Sequence, residues 1–173
     1  QVLGSSLDVR ASVFGDSAAL RSLIDGTFPS DLLSRVDIVH CDTVVDCDDK
    51  PSIALRTKQD SSMGQALSAV ASGNSQACIS AGNTGALMAL SLLYLGLLPG
   101  ISRPAICAEI PTALGNKLML DLGANVDCTA DQLHQFALLG ALTANLALDI
   151  DNPSVRLLNV GSESGKGNKL VQA

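Results

Sequence analysis

Three times in 173 residues a short apolar stretch ends in a loop of small residues and a helix-forming stretch follows: SAGNTGA at Ser80–Ala86, DLGANVDC at Asp121–Cys128 and NVGSESGKGN at Asn159–Asn168. Strand, bare loop, helix is the local order of an open α/β sheet, where the carboxyl ends of parallel strands line one edge and ligands bind there. If these strands are parallel, the three loops converge on that edge, and the free N–H groups and dipoles of the helix N-termini favour a phosphate or carboxylate. Each loop also has a plainer explanation, because glycine commonly follows a strand and Thr84 or Thr129 can cap its helix with no ligand involved. Lys166 tilts the balance: flanked by Gly165 and Gly167, it has little local side-chain packing to hold it and can reach an anion. Known nucleotide patterns do not fit. Gly161–Lys166 reads G-x-x-x-G-K followed by Gly167, one residue short of a P-loop and without its Ser or Thr, and G-x-G-x-x-G is absent.

The remaining elements follow from periodicity and punctuation. Leu7–Phe14 predicts a strand, Ser17–Ile24 a helix and Val36–Cys41 a second strand. Asp42–Gln59 is polar and irregular and holds Pro51, Arg56 and Lys58, so it reads as a long loop, a kind of segment that is often functional in compact domains. Ser62-Met-Gly-Gln65 has the form of a capping box and predicts a helix from Met63 to about Ser72, stopped by Gly73-Asn74. Gln76–Ser80 reads as a buried strand and Thr84–Leu98 as a helix ending at Pro99-Gly100. Only six residues, Pro111–Asn116, separate the strand-like runs Pro104–Ile110 and Lys117–Leu122. That is too few for a crossover helix, so the pair is expected to be an antiparallel hairpin in an otherwise parallel, hence mixed, sheet. Thr129-Ala-Asp-Gln132 is a second capping box opening a helix to about Leu148, Val155–Val160 is the last strand, and a helix is expected after Asn168.

Length predicts one domain. With 47% hydrophobic residues and 2% aromatic, its core must be built from Ala, Leu, Ile and Val. A net charge of -6 and no run of Lys or Arg exclude a nucleic-acid binder. The longest nearly apolar run, Ala86–Leu98, is interrupted by Ser91, Tyr94 and Gly96 and falls short of the roughly 20 residues of a spanning helix. No basic stretch followed by an apolar one opens the chain, so a cytoplasmic site is expected. The five cysteines are odd in number and lack C-x-x-C spacing, which predicts reduced, buried thiols. His40, Cys41, Asp42, Asp46 and Cys47 match no zinc spacing, and no metal site is expected.

DSSM (Asp60–Met63), SAGNTGALMA (Ser80–Ala89), GISRPA (Gly100–Ala105), LDLGANVDC (Leu120–Cys128), QFALLG (Gln135–Gly140) and LLNVGSESGKGN (Leu157–Asn168) together resemble, in order and spacing, the bacterial phosphate acyltransferases of phospholipid synthesis, the PlsX family. The resemblance is strong from about Asp49 to Ala173 and weak before. It implies a three-layer α/β/α fold with a mixed, mostly parallel sheet, similar to the isocitrate and isopropylmalate dehydrogenases and to phosphotransacetylase. It further implies acyl-carrier protein as acyl donor, inorganic phosphate as acceptor, an acyl phosphate as product, no cofactor, a homodimer, and peripheral membrane association through a part absent here. Family members are considerably longer, with an opening Gly-Gly-Asp strand and a second half that supplies a catalytic asparagine, so this chain is read as a partial domain. Many relatives have a further basic residue where this chain has Gln59, which leaves the anion role of that loop to Arg56 and Lys58. The lysine of the family's GKGN motif falls on Lys166.

Acyl transfer from a thioester to phosphate needs a place that holds a dianion in line with the carbonyl and donors for the developing oxyanion. Gly82, Asn83, Thr84 and Gly85, through backbone N–H groups and the Thr84 hydroxyl, are expected to bind phosphate. Lys166 is assigned to the oxyanion or to the phosphate itself, Asn125 to a further amide donor, and Asp121 and Asp127 to orienting their loop. Two alternatives stand beside this: a phosphotransacetylase-like reaction using acyl-CoA, and a non-catalytic anion-binding fragment.

Overall fold

A computed structural model of the protein describes residues 9–161 and 166–167. The chain divides into two compact units, one up to Gly96 and the other from Leu97.

The first unit opens with a parallel pair. Strand β1 (Ala11–Gly15) lies beside β2 (Val36–His40) in a register running from Ala11 opposite Val36 to Gly15 opposite His40. A parallel pair requires a crossover, here helices α1 (Ser17–Ile24) and α2 (Ser30–Leu33). Asp16 caps α1, its carboxylate accepting from the Ala19 N–H at 2.7 Å. Helices α3 (Pro51–Thr57), α4 (Ser62–Ala71) and α5 (Thr84–Leu95) complete the unit, and α3 and α4 both pack on α5. Their shared core is Val45, Ala54, Met63, Leu67, Ala86 and Leu90, with Leu55, Cys78, Leu87 and Tyr94 packed against it. Ala54 and Ala86 are completely buried, so helix axes approach closely with almost no aromatic volume between them.

In the second unit β3 (Cys107–Ile110) and β4 (Lys117–Leu120) form the expected antiparallel hairpin, from Cys107 opposite Leu120 to Ile110 opposite Lys117. The turn is closed by the Gly115 N–H on the Thr112 carbonyl at 3.1 Å, with Gly115 at φ +88. Helix α6 (Ala130–Leu148) packs on β4, closely at Gly140, where a Cβ would lie 3.2 Å from Leu120 Cδ1. Its capping box is complete, Gln132 N–H donating to the Thr129 hydroxyl at 3.2 Å and Thr129 N–H to the Gln132 side-chain oxygen at 2.9 Å.

Several expectations are corrected. The strands expected at 76–80 and 155–160 join no ladder among the described residues, and their large aliphatic side chains stand open, Ile79 at 91%, Leu158 at 80% and Val160 at 87% exposure, while Cys78 packs on the core. The described ladders are accordingly two separate two-stranded sheets, one parallel and one antiparallel, so the class is α/β without a single mixed sheet. The loop expected over Asp42–Gln59 contains α3, because Pro51 occupies the first helical turn, where a missing N–H costs nothing. The cap of α4 is Ser61, not Ser62: its buried hydroxyl accepts from the Gly64 N–H at 3.3 Å, and Gln65 reaches the Asp60 carbonyl instead of closing a box. Helix α5 stops at Leu95, where Gly96 takes φ +72. Among the free thiols Cys41 is buried, and burial raises its pKa, while Cys47 and Cys107 are exposed. The expected strand start at Leu7 and the helix after Asn168 lie outside the described residues.

Candidate anion site at the start of helix α5

The segment Ser80–Gly85 turns the chain into α5. The Gly82 N–H donates to the Ser80 hydroxyl at 3.2 Å, and the residue that caps the helix is Asn83, one position before the expected Thr84. Its side-chain oxygen accepts from the Ala86 N–H at 3.0 Å. Asparagine is well suited to an N-cap, and this leaves the Thr84 hydroxyl, on an exposed residue, without a partner among the described residues. The first N–H groups of a helix have no intrahelical acceptor. Those of Thr84 and Gly85 have no acceptor among the described residues. Gly85 has a second reason to be glycine: a Cβ there would lie 2.7 Å from Pro51 Cγ of α3.

The other end of the Asn83 amide faces the loop before α3. Nδ2 donates to the carbonyls of Asp46 at 3.2 Å, Cys47 at 3.0 Å and Asp49 at 2.8 Å. The same loop is gripped by Lys58, whose ammonium donates to Asp49 Oδ2 at 2.6 Å, the Val44 carbonyl at 2.9 Å and Asp46 Oδ2 at 3.3 Å. The hydrogen bond from Lys58, then that from the Asp46 N–H, hold the Asp49 carboxyl below its usual range, and the Asp49 contact raises Lys58. Lys58, expected as an anion ligand, is thus engaged by two carboxylates and a carbonyl. Arg56 sits exposed in the last turn of α3, where its charge suits the helix dipole.

In the second unit the turn after β4 is organised by Asp121. Its carboxylate accepts from the Ile106 N–H at 2.8 Å, the Asn125 N–H at 2.6 Å and the Asn125 amide at 3.2 Å. Burial, the largest single influence, raises this carboxyl, but the N–H groups of Ile106, Asn125 and Ala124 with the Asn125 amide together outweigh it and lower the net pKa. The Asn125 amide also donates to the Pro104 carbonyl at 2.9 Å, and its oxygen accepts from Arg103 at 3.4 Å. Asp127 is exposed. Of the GSESGKGN loop, Gly161, Lys166 and Gly167 are described; Lys166 is exposed, its carbonyl accepting from Asn159 at 3.4 Å.

Gly82–Gly85, Arg56 and Lys58 therefore belong to the first unit, and Asn125 and Lys166 to the second. Within the first, Asn83 and Lys58 meet the same loop. Sequence reasoning missed Asp46 and Asp49 as partners of Lys58; a pair of carboxylates three apart, followed by a lysine at the end of a helix, is the signal that was available.

The family described as fatty acid synthesis protein matches residues 3–173. Phosphate acyltransferase of Saccharophagus degradans is 51% identical over 165 residues, 95% of this chain and 47% of its own length. That of Pseudomonas putida is 49% identical over 170 residues, 98% of this chain and 50% of its own length. The Nitrosococcus oceani phosphate acyltransferase is 46% identical over 172 residues, covering 99% and 50%. The chain spans about half the length of the curated relatives it matches.

Proposed function

Because the chain belongs to the fatty acid synthesis protein family, we propose that the protein carrying it transfers a fatty acyl group from the thioester of acyl-carrier protein to inorganic phosphate, giving an acyl phosphate for phospholipid synthesis. The observation that supports this most is the start of α5, where the Thr84 and Gly85 N–H groups and the Thr84 hydroxyl have no partner among the described residues and lie at the positive end of a helix dipole. Phosphate bound at Gly82–Gly85 supplies the nucleophilic oxygen. It attacks the thioester carbonyl carbon, the C–O bond forms as the C–S bond breaks, and the sulfur leaves as thiolate and takes up a proton. No electrons change hands, so the reaction needs no redox partner. Lys166 stabilises the carbonyl oxygen as it becomes an oxyanion. Asn125, tied to Asp121 and Pro104, serves by shaping the turn after β4, and Arg56 offers the exposed positive charge in the last turn of α3.

The whole-protein fold in this reading is a three-layer α/β/α arrangement similar to the isocitrate and isopropylmalate dehydrogenases, assembled as a homodimer. It works in the cytoplasm with peripheral membrane contact outside this segment. No helix among the described residues is long and apolar enough to cross a membrane. The test is to give the full-length protein acyl-carrier thioester with and without phosphate and trap the product with hydroxylamine. Phosphate-dependent hydroxamate is the expected result. Equal or faster reaction with acyl-CoA replaces the carrier protein as donor, and no phosphate-dependent product with either donor overturns the reading.

A further inference from the structure

We infer that Lys58 is a positioning residue, one that aligns the start of α5 for phosphate through Asn83 and does not itself touch the phosphate. The inference rests on the phosphate reading above. The three ammonium hydrogens of Lys58 have three acceptors in its own loop: Asp49 Oδ2 at 2.6 Å, the Val44 carbonyl at 2.9 Å and Asp46 Oδ2 at 3.3 Å. None is left for an anion. Two carboxylates on one ammonium also leave the cluster with a net negative charge, which opposes a dianion at contact distance.

What the cluster holds is backbone. Asp49 Oδ2, besides meeting Lys58, accepts from the Asp46 N–H at 2.8 Å and so closes the turn between them. The carbonyls of Asp46, Cys47 and Asp49 are thereby brought onto one nitrogen, Asn83 Nδ2, at 3.2, 3.0 and 2.8 Å. A planar amide fixed at its nitrogen has a fixed oxygen, and that oxygen caps α5 on the Ala86 N–H at 3.0 Å. Contacts therefore run without a gap from Lys58 through Asp49 to Asn83 and into the first turn of α5, which leaves the Thr84 and Gly85 N–H groups presented together. Without Lys58, the Asp46 and Asp49 carboxylates repel, the loop opens, and Asn83 loses the carbonyls that orient it.

A double-mutant cycle in the full-length protein tests this. Lys58→Met removes the ammonium, and Asn83→Ser keeps a capping oxygen while removing the amide donor. Each variant is expected to raise KM for phosphate about tenfold, roughly the loss of one charge-assisted hydrogen bond, with kcat and KM for the acyl donor changed by no more than about twofold. Because both break one chain of contacts, the double variant is expected to be no worse than the poorer single one. Penalties that multiply, to about a hundredfold, mean that the two residues act independently and overturn the inference. A second arm needs no turnover: amide hydrogen exchange at Asp46–Asp49 and Ala86 is expected to quicken in both variants, and unchanged protection in Lys58→Met overturns the clamp itself. Quickened exchange in a protein whose wild type transfers nothing to phosphate sinks the phosphate reading and, with it, this role for the clamp. If Lys58→Met does not fold, Asp49→Asn replaces it. That change weakens the shortest of the three Lys58 contacts and leaves those to Val44 and Asp46, so a direct phosphate role gives a lower KM and the clamp a higher one.

Discussion

Asn83 shows how much one side chain can settle: its oxygen caps the start of a helix, its nitrogen gathers three carbonyls, and Thr84, which looks like the cap in the sequence, caps nothing. Gly85 has to be reconsidered in the same light. A bulky residue there does not test an anion cradle cleanly, because its Cβ would first meet Pro51 Cγ at 2.7 Å. Gly85→Ala is therefore expected to destabilise the first unit by about 1–3 kcal/mol through overpacking, measured by denaturant unfolding. Pro51→Ala in the same chain should restore most of that loss, and phosphate affinity of the double variant then reports on the loop alone. Unaltered stability of Gly85→Ala would mean that α3 yields freely. Lys166 sits at the opposite extreme: it is exposed, and among the described residues its backbone carbonyl accepts from Asn159. Lys166→Ala in the full-length protein should lower kcat at least about a hundredfold, the worth of one oxyanion donor, with no shift in the unfolding midpoint. Near-normal turnover would remove Lys166 from the chemistry.

At the scale of elements, what is local was legible and what depends on a distant partner was not. The capping box at Thr129 fixes the start of α6 by contacts within four residues, so spacing alone finds it, and six residues between apolar runs permit only a hairpin. Thr129→Ala is expected to cost about 1 kcal/mol, seen as a lower unfolding midpoint of the second unit. Adjacent serines blur the same signal at α4. The choice of Ser61 is linked to Gly64, whose missing Cβ would lie 1.9 Å from the Gln59 carbonyl oxygen, a closeness no pattern of polar and apolar residues reveals. Ile79 and Leu158 lie in runs with strand propensity, but propensity supplies no ladder, and a strand exists only where another backbone lies alongside. Helix α5 was legible because its apolar run is long, and its packing is specific: Leu90 is completely buried in the cluster with Ala54 and Ala86. Leu90→Ala should cost about 2–5 kcal/mol, and a smaller loss in equilibrium unfolding would show that α3 and α4 close over the space. The candidate site divides in the same way: a turn of small residues at Gly82–Gly85 leading into a helix could be read from glycine spacing, whereas the pairing of Lys58 with Asp46 and Asp49 depended on α3, a helix hidden behind Pro51.

In each unit the candidate loop is organised by one carboxylate of lowered pKa, in the first unit alongside the buried Val45. Asp49 does so in the first unit, held down chiefly by Lys58 and then by the Asp46 N–H. Asp121 does so in the second, where burial raises it but four hydrogen-bond donors lower it further. Both folded-state values lie below the ordinary carboxylate value of 3.8. The unfolded chain therefore binds more protons than the folded one through the acid range, and stability rises with pH there. The contribution is fully present above the unfolded carboxylate value and is lost as pH falls through the depressed folded one. Between neutral pH and about pH 5 the unfolding midpoint should accordingly not depend on these two groups' titration, and below about pH 4 it should fall. The loss should be divisible between the units. Asp49→Asn is expected to lower stability at neutral pH and flatten the acid decline of the first unit alone, and Asp121→Asn to do the same for the second. Hydrogen exchange at Asp46–Asp49 and at Ile106 and Asn125, followed from pH 6 down to pH 3 with intrinsic rates divided out, separates the two responses. If Asp49→Asn leaves the acid opening of its own loop as steep as before, that loop is held by something other than its pairing with Lys58, and the link from α3 to the start of α5 loses its electrostatic basis.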